Sequence, residues 1–117
     1  MQARLVSFGQ IEIDGQLFDH DVVIEGGRLR KRKKGPSKPL RDRFGHTPLS
    51  IGEEIPWPPK TLVIGTGANG QLPVMDEIYE EARRRGVTIV AEPTAEACER
   101  LNDTTDDDVA AILHVTC

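Results

Sequence analysis

The first third of the chain alternates apolar and polar residues at period two, which is the pattern of half-buried β-strands. Residues 9–13 (GQIEI) show the alternation, and Asp14-Gly15 follows them. This pair is the strongest short signal for a hairpin, because both central residues of a type I′ turn need positive φ. A further strand is predicted over residues 21–25, so the chain opens with antiparallel β-structure.

A second turn at Gly26-Gly27 leads into a strongly basic strand over residues 28–33. Leu29 is the one apolar side chain of this strand, so neither of its faces is expected to be deeply buried. Lysines on a strand also discourage pairing with a neighbouring molecule. The strand is therefore predicted at the edge of its sheet.

The middle of the chain is predicted to be mostly irregular. Residues 34–43 are interpreted as a loop because they contain a glycine and two prolines. Ser50 and Glu53 have the spacing of a capping box, which predicts a short helix over residues 50–55. The prolines that follow would end that helix, since proline supplies no helical N–H. Trp57, which lies between them, is expected to cover the core.

The second half of the chain has the alternating strand and helix pattern of an α/β fold. A short apolar strand at residues 61–64 precedes a helix over residues 74–85, whose apolar side chains share one face. Gly86 follows, where a helix C-terminus favours a left-handed residue. The next strand, at residues 87–91, should run parallel to the first, because the connection between them is a right-handed crossover.

One more helix and one more strand complete the pattern. Thr94 is predicted to cap a helix that ends near Asn102, and an acidic loop over residues 102–108 leads to an apolar strand at residues 109–115. These elements predict a compact three-layer α/β fold with a mixed sheet. The predicted single domain (1–117) comprises an antiparallel β part (1–34), a connecting loop and short helix (35–60) and a β-α-β-α-β part (61–117).

Composition places few limits on function. With 117 residues, the chain is long enough to bury one core without disulfide or metal staples. Because no secretory signal peptide is recognisable, Cys98 and Cys117 are interpreted as reduced thiols in a cytoplasmic protein. No apolar run approaches the roughly 20 residues that span a bilayer, so no membrane span is expected. A homo-oligomer is left open.

The net charge of −4 conceals a strong asymmetry. Residues 28–43 hold nine basic and one acidic residue (+8), whereas the rest of the chain holds six basic and eighteen acidic residues (−12). The acidic remainder and the lack of aromatic residues within the basic run make nucleic acid an unlikely partner. A solvated edge is one interpretation of the run. The other is a docking site, either for an acidic protein partner through Arg30, Arg32 and Lys34 or for an anionic surface.

The segment Gly65-Thr66-Gly67-Ala68-Asn69-Gly70 has the spacing of a dinucleotide fingerprint, and Glu92 stands at the offset of the acidic residue that such a site uses. In a true site the helix begins within the motif, so that its N–H groups point at phosphate. Here Pro73 delays the helix, and the remaining chain is too short for the second half of a dinucleotide fold. A tight turn that closes the strand is therefore the favoured interpretation.

A smaller anion at this turn is the alternative interpretation. Exposed N–H groups and a hydroxyl could hold it without a complete nucleotide fold. The residues that would form this site are Gly65, Thr66, Gly67 and Asn69, with His46 nearby.

The other polar residues do not form a complete catalytic set. His46 lies in a loop beside a glycine, where it could serve as a general base, although a turn or capping role is commoner. His114 and Cys117 point to opposite faces if the strand continues, so a joint site would need the chain to turn. The cysteines and histidines also lack the paired spacing of zinc sites. We therefore assign no catalytic residue, no metal and no cofactor.

Short motifs along nearly the whole chain resemble one known family, which contains the adipogenesis-associated Mth-domain protein and the mitochondrial complex I assembly factor three. In chain order the motifs are FGQIEIDG (8–15), LVIGTG (62–67), RGV (85–87), PTAEAC with a following asparagine (93–98 and Asn102) and HVTC (114–117). The last motif is more similar to the adipogenesis-associated branch than to the complex I branch.

The resemblance implies a compact three-layer α/β fold with a mixed sheet and, from the complex I branch, a role as a protein-binding assembly factor. It implies no catalytic residues. Two departures from the mitochondrial members are the lack of a recognisable presequence and a heavier basic run. We therefore expect a non-enzymatic protein-interaction or assembly-factor-like module. The alternative is a small-molecule or anion-binding protein, or an unrecognised enzyme, that uses the Gly65–Asn69 turn.

Overall fold

The computed structural model describes residues 1–104 and 108–117, and all elements below belong to those residues. The strands are β1 (Ala3–Ser7), β2 (Gln10–Ile13), β3 (Gln16–Phe18), β4 (Val22–Glu25), β5 (Arg28–Lys31), β6 (Thr61–Thr66), β7 (Thr88–Glu92) and β8 (Val109–His114). The helices are a 3-10 helix (Gly35–Leu40), α1 (Arg41–Phe44), α2 (Asp76–Arg85) and α3 (Thr94–Asn102). The predicted acidic loop includes positions 105–107, which lie outside the described residues.

The strands form two sheets. β1, β2 and β3 make an antiparallel sheet in that order, and the second sheet has the order β5-β4-β8-β6-β7. In the second sheet β6 runs parallel to both β7 and β8, whereas β4 is antiparallel to both β5 and β8. The predicted fold class, an α/β fold with a mixed sheet, is confirmed. The parallel pairing of the strands around α2 and the edge position of β5 are confirmed as well.

The Asp14-Gly15 hairpin is confirmed, but its second strand is not one that the sequence predicted. Asp14 has φ 49° and Gly15 has φ 85°, the two positive values of a type I′ turn. The turn joins β2 to β3, with Ile13 opposite Gln16. β3 is only three residues long, which is too short to show an alternation. The predicted strand at 21–25 is β4, which belongs to the other sheet.

The first strand, β1, was not predicted either. It pairs with β2 so that Ala3 lies opposite Ile13. The side-chain amide of Asn102 in α3 forms a pair of hydrogen bonds with the backbone of β1, as a neighbouring strand would. It accepts a hydrogen bond from the N–H of Ala3 (2.6 Å) and donates one to the carbonyl of Ala3 (3.0 Å). Helix α3 therefore holds the start of β1 through a long-range contact that no local pattern contains.

Two apolar clusters lie on opposite faces of the five-stranded sheet. Alternate residues of β4, β6 and β8 divide between them, as the period of a strand requires. One cluster joins the sheet to α3 and to β1 and β2, and its buried members include Ile11, Ile13, Val22, Val63, Ala97, Cys98 and Leu113. The other joins the sheet to α2, and its buried members include Val23, Leu49, Leu62, Ile64, Ile78, Ala82 and Ile112.

The predicted loop over residues 34–43 is largely helical. A 3-10 helix spans Gly35–Leu40, with a proline near its start, and α1 follows directly. Proline suits the first turn of a helix, because its missing N–H would have no partner there. Gly35 and Pro36 thus lie at the start of a short helix and Pro39 lies inside it, so these residues do not mark an irregular loop.

The predicted short helix over residues 50–55 is wrong, because this segment forms turns. Ser50 and Glu53 do interact at the capping-box spacing, since the N–H of Glu53 donates to the carbonyl of Ser50 (3.2 Å). Their side chains, however, are buried against Ser37. The hydroxyl of Ser37 donates to Glu53 Oε2 (2.5 Å) and lies 2.6 Å from the hydroxyl of Ser50. Tertiary hydrogen bonds have replaced the helical cap.

Helix α2 begins at Asp76, two residues later than predicted, because Val74 forms a parallel bridge with Leu49. The helix ends as predicted at Gly86, which has φ 69°. Trp57 packs partly buried against the α2 cluster, and the guanidinium of Arg85 lies 4.9 Å from the centre of its ring.

Among the described residues no helix combines the length and the apolar character that a bilayer crossing needs.

Thr94 does not cap α3 as predicted. The residue before it, Pro93, takes the N-cap position, and no side chain caps the helix. The Thr94 hydroxyl instead accepts a hydrogen bond from the N–H of Gly67 (2.8 Å) and donates one to the carbonyl of His114 (2.5 Å). Thr94 is fully buried, so this hydroxyl ties the start of α3 to the ends of β6 and β8.

Candidate functional site

The glycine turn after β6 binds the last residues of the described chain. The N–H of Ala68 donates to the carbonyl of Thr116 (2.7 Å). The N–H groups of Asn69 and Gln71 both donate to the carbonyl of Cys117 (3.2 and 3.0 Å). Exposed N–H groups of this kind would be the donors of an anion site. In this molecule, oxygens of the chain itself satisfy these three.

Gly65 and Gly67 are glycines for steric reasons. Gly67 has φ 110°, and a Cβ at this position would lie 2.3 Å from the carbonyl carbon of Cys117. A Cβ on Gly65 would lie 2.8 Å from the hydroxyl of Thr94 and 3.1 Å from the side chain of Leu113. The two glycines therefore allow close packing of chain segments, and protein atoms fill the space that a side chain would take.

The histidine beside this turn is His114, not His46. β8 pairs with β6 so that His114 lies opposite Thr66, the last residue of β6. His46 is half-buried in the loop after α1. Within the described part of the chain it shares no hydrogen bond with the glycine turn. The sequence analysis considered His114 only together with Cys117, and no local pattern placed it beside the glycine turn.

Three groups converge on the carboxylate of Asp21. The imidazole Nδ1 of His114 lies 2.7 Å from Oδ2, and Nη1 of Arg32 lies 3.0 Å from the same oxygen. The N–H of Val115 donates to Oδ1 (3.0 Å). Burial by itself raises the pKa of Asp21. The hydrogen bond and charge of His114, the Val115 N–H and the Arg32 charge outweigh that effect and bring the pKa to about 2.

Arg32 connects Asp21 to a second buried carboxylate, Glu53. Its Nε and Nη2 donate to the two oxygens of Glu53 (2.8 and 2.7 Å), in the bidentate geometry that a planar guanidinium favours. Nη2 also donates to the carbonyl of Pro48 (2.9 Å). Burial lowers the pKa of Arg32, but the hydrogen bonds and charges of the two carboxylates raise it above its ordinary value. Asp21, Arg32, Glu53 and His114 are called the ionic cluster below.

The ionic cluster forms because the ends of three neighbouring strands lie side by side at the same end of the sheet. Asp21 immediately precedes β4, Arg32 immediately follows β5 and His114 is the last residue of β8. β4 is the neighbour of both β5 and β8, so antiparallel pairing brings these ends together. The side chains lie within one buried region, and no buried side-chain nitrogen or oxygen in the described residues lacks a hydrogen-bond partner.

Arg32 corrects the sequence-based picture of the basic strand. It was expected on the exposed edge with Arg30 and Lys34, but only 5 % of it is exposed. Its N–H donates to the carbonyl of Asp21 (3.0 Å), which holds the residue beside the start of β4. Its side chain therefore belongs to the ionic cluster. Lys34 is exposed and Arg30 is partly so.

The remaining basic residues of this segment form a separate surface. We call it the basic edge, and its members are Arg28, Arg30, Lys31, Lys33 and Lys34. Nη2 of Arg30 donates to the carbonyl of Glu54 (2.6 Å), and Nζ of Lys33 lies 3.8 Å from the Glu54 carboxylate. The other three side chains form no ion pair with any described residue. The surface therefore carries largely unbalanced positive charge.

Comparison with known proteins places this architecture in a family. Residues 4–114 match the family model described as a protein of unknown function (DUF498/DUF598). None of the curated proteins matches the chain significantly.

Three solved structures share the fold. A conserved hypothetical protein, PH1505, from Pyrococcus horikoshii OT3 is 30 % identical, with a TM-score of 0.75 and all of both chains covered. The protein MT938 is 27 % identical, with a TM-score of 0.70 over 99 % of this chain and 98 % of its own. XCC1710 from Xanthomonas campestris is 17 % identical, with a TM-score of 0.62 over 98 % of this chain and 86 % of its own, and it supports the fold alone.

Proposed function

The chain belongs to the DUF498/DUF598 family of proteins of unknown function, and we propose that it is a protein-interaction module. In this proposal an extended acidic segment of another protein docks along the basic edge. This is the kind of contact that an assembly factor provides. The observation that carries the proposal is that two cations without an ion pair, Arg28 and Lys31, lie on β5, the edge strand of the five-stranded sheet, and that exposed Lys34 follows it closely.

The backbone of β5 supports this mode of binding. β5 pairs with β4 on one side, through Val22 opposite Lys31 and Glu25 opposite Arg28. No described strand pairs with its other side. An edge of this kind can accept an added strand through main-chain hydrogen bonds, and the side chains then select the partner. Lysine and arginine on the edge disfavour a second copy of the same basic strand and favour an acidic one.

Charge favours a protein partner over nucleic acid or a membrane. The basic edge has no interleaved aromatic side chain on which bases could stack. The chain outside residues 28–43 carries −12, which would repel an extended polyanion beyond the edge. A short acidic peptide that spans only β5 avoids that repulsion. This argument also explains how one small patch can act in a protein of net negative charge.

The test is fluorescence anisotropy with a labelled peptide of alternating glutamate and valine. The variant Arg28→Glu/Lys31→Glu/Lys34→Glu should weaken binding at least about tenfold, which corresponds to about 1.4 kcal/mol. A matched control, Arg4→Glu/Arg83→Glu/Arg84→Glu, changes the net charge equally at exposed positions away from β5 and should bind within about twofold of the original chain. Arg32 is excluded from the test because its substitution would disturb the ionic cluster.

Three outcomes would contradict the proposal. The first is equal loss of binding in the two triple variants, because the effect would then be one of net charge only. The second is equally tight binding of a lysine–valine peptide. The third is tighter binding of single-stranded DNA or of anionic phosphatidylserine vesicles than of the acidic peptide.

A further inference from the structure

A hydroxyl, an imidazole and a carboxylate form one hydrogen-bonded chain at the end of β8. Oγ1 of Thr116 lies 3.2 Å from Nε2 of His114, and Nδ1 of the same ring lies 2.7 Å from Oδ2 of Asp21. The docking proposal does not use this chain of groups. The order of the groups is that of a nucleophile, a base and an orienting acid.

The hydrogen bonds define the tautomer of His114 when the ring is neutral. Asp21 has a strongly lowered pKa and is an acceptor only, so Nδ1 must carry the proton that it shares with Oδ2. Nε2 is then left as the acceptor, and the Thr116 hydroxyl donates to it. This is the arrangement in which an imidazole can take the proton of an attacking hydroxyl.

The charges of the ionic cluster around His114 do not cancel while its ring is neutral. Asp21 and Glu53 each carry −1 and Arg32 carries +1, so these three groups together carry −1. A proton received by His114 would bring the ionic cluster to zero net charge.

Backbone contacts hold Thr116 in place. Its carbonyl accepts a hydrogen bond from Ala68 (2.7 Å), and the preceding Val115 is fixed at both its N–H and its carbonyl, by Asp21 and Gly9. Thr116 itself is half-buried. Its own N–H donates to no described residue, and the N–H of a nucleophile is a common oxyanion donor.

We propose that Thr116 is a catalytic nucleophile that hydrolyses esters of small acyl groups, with His114 as the general base and Asp21 as its positioning residue.

Oγ1 of Thr116 attacks the ester carbonyl carbon as its proton passes to Nε2 of His114. The C–O bond to the leaving alcohol breaks, and the alcohol takes the proton from His114. Water then attacks the acyl-Thr116 ester in the same way. This step releases the carboxylic acid and restores the hydroxyl. A small acyl group is specified because Thr116 is only half-exposed.

The experiment measures hydrolysis of p-nitrophenyl acetate and maps the acetylated residue by peptide mass spectrometry. The unmodified chain should release nitrophenol above the buffer rate and carry an acetyl group on Thr116. Thr116→Val keeps the shape of the side chain but removes the hydroxyl, so it should lose at least about nine tenths of the protein-dependent rate. Thr116→Ser and Cys117→Ser should keep most of it, and His114→Gln should lose it.

Thermal melts accompany each variant, and Thr116→Val keeps the test decisive if His114→Gln does not fold. The proposal is overturned if the unmodified chain does not exceed the buffer rate. It is also overturned if Thr116→Val hydrolyses the ester as fast as the unmodified chain, or if acetyl groups are found only on lysines or on Cys117. Loss of activity in Cys117→Ser but not in Thr116→Val would assign the chemistry to the thiol and would likewise contradict it.

Discussion

Arg32 and Glu53 meet in two parallel hydrogen bonds of 2.8 and 2.7 Å, although 21 residues separate them in the chain. Both side chains are almost completely buried, at 2 % and 3 % exposed. The pair therefore joins the end of β5 to the turns at 50–55 through a desolvated ionic contact.

Removal of Arg32 should be far more damaging than removal of a neighbouring cation. Arg32→Ala leaves Asp21 and Glu53 buried without their cation and should lower the free energy of unfolding by about 3–5 kcal/mol. Lys31→Ala, at the exposed last residue of β5, should change it by less than about 0.5 kcal/mol. Urea unfolding measures both. Equal effects would show that the buried pair does not stabilise the fold.

The acid dependence of stability should follow Asp21. Its folded pKa of about 2 lies below the ordinary value of 3.8, so the carboxylate stabilises the folded state above pH 3.8. That contribution, about 2 kcal/mol, should be lost as the pH falls from 3.8 through 2. Asp21→Asn should be less stable near neutral pH and should lack this part of the acid loss. The melting temperature of each protein is measured as the pH is lowered. If it falls equally in the original chain and in Asp21→Asn, Asp21 is not the source of the acid dependence.

Gly67 should tolerate alanine much less well than Gly86. Both have positive φ, so alanine at either position costs about 1–2 kcal/mol in backbone strain. The Cβ at Gly67 would also overlap Cys117, whereas nothing lies within 4 Å of a Cβ at Gly86. Gly67→Ala should therefore be the less stable variant and should speed hydrogen exchange at Ala68 and Gln71. Equal stabilities, with unchanged exchange, would contradict the packing described.

The two cysteines should differ in reactivity. Burial raises the pKa of Cys98 to about 11, and a thiol in that state is a poor nucleophile. Iodoacetamide should therefore modify the half-exposed Cys117 first and reach Cys98 only after urea unfolds the chain. Peptide mass mapping follows both sites. Prompt modification of Cys98 in the folded protein would argue against its burial.

Local patterns predicted the elements whose signals are complete within a few residues. The Asp14-Gly15 turn, the apolar stripe of α2 and its Gly86 terminus are of this kind, because each depends on backbone conformation or period alone. β1 and β3 carry no such signal. β1 is held by Asn102, which is 99 residues away from Ala3, and only the tertiary structure contains that contact.

The candidate sites were harder to predict for the same reason. The sequence located the glycine turn. It could not locate the acceptors of the N–H groups of that turn, which are the carbonyls of Thr116 and Cys117. The spacing of Ser50 and Glu53 suggested a cap, yet the stronger bond of Glu53 is to Arg32. Charge patterning did locate the basic edge. It could not separate Arg32 from its neighbours, because burial depends on which strand ends meet.

The most direct test of the docking proposal is an NMR titration of the labelled chain with the glutamate–valine peptide. An added strand should shift the backbone amides of β5, at residues 28–31, well before those of β7, which is the opposite edge of the same sheet. Hydrogen exchange of β5 amides should also slow on binding. The proposal is contradicted if the shifts spread evenly over the surface, cluster at β7 or fail to appear in β5.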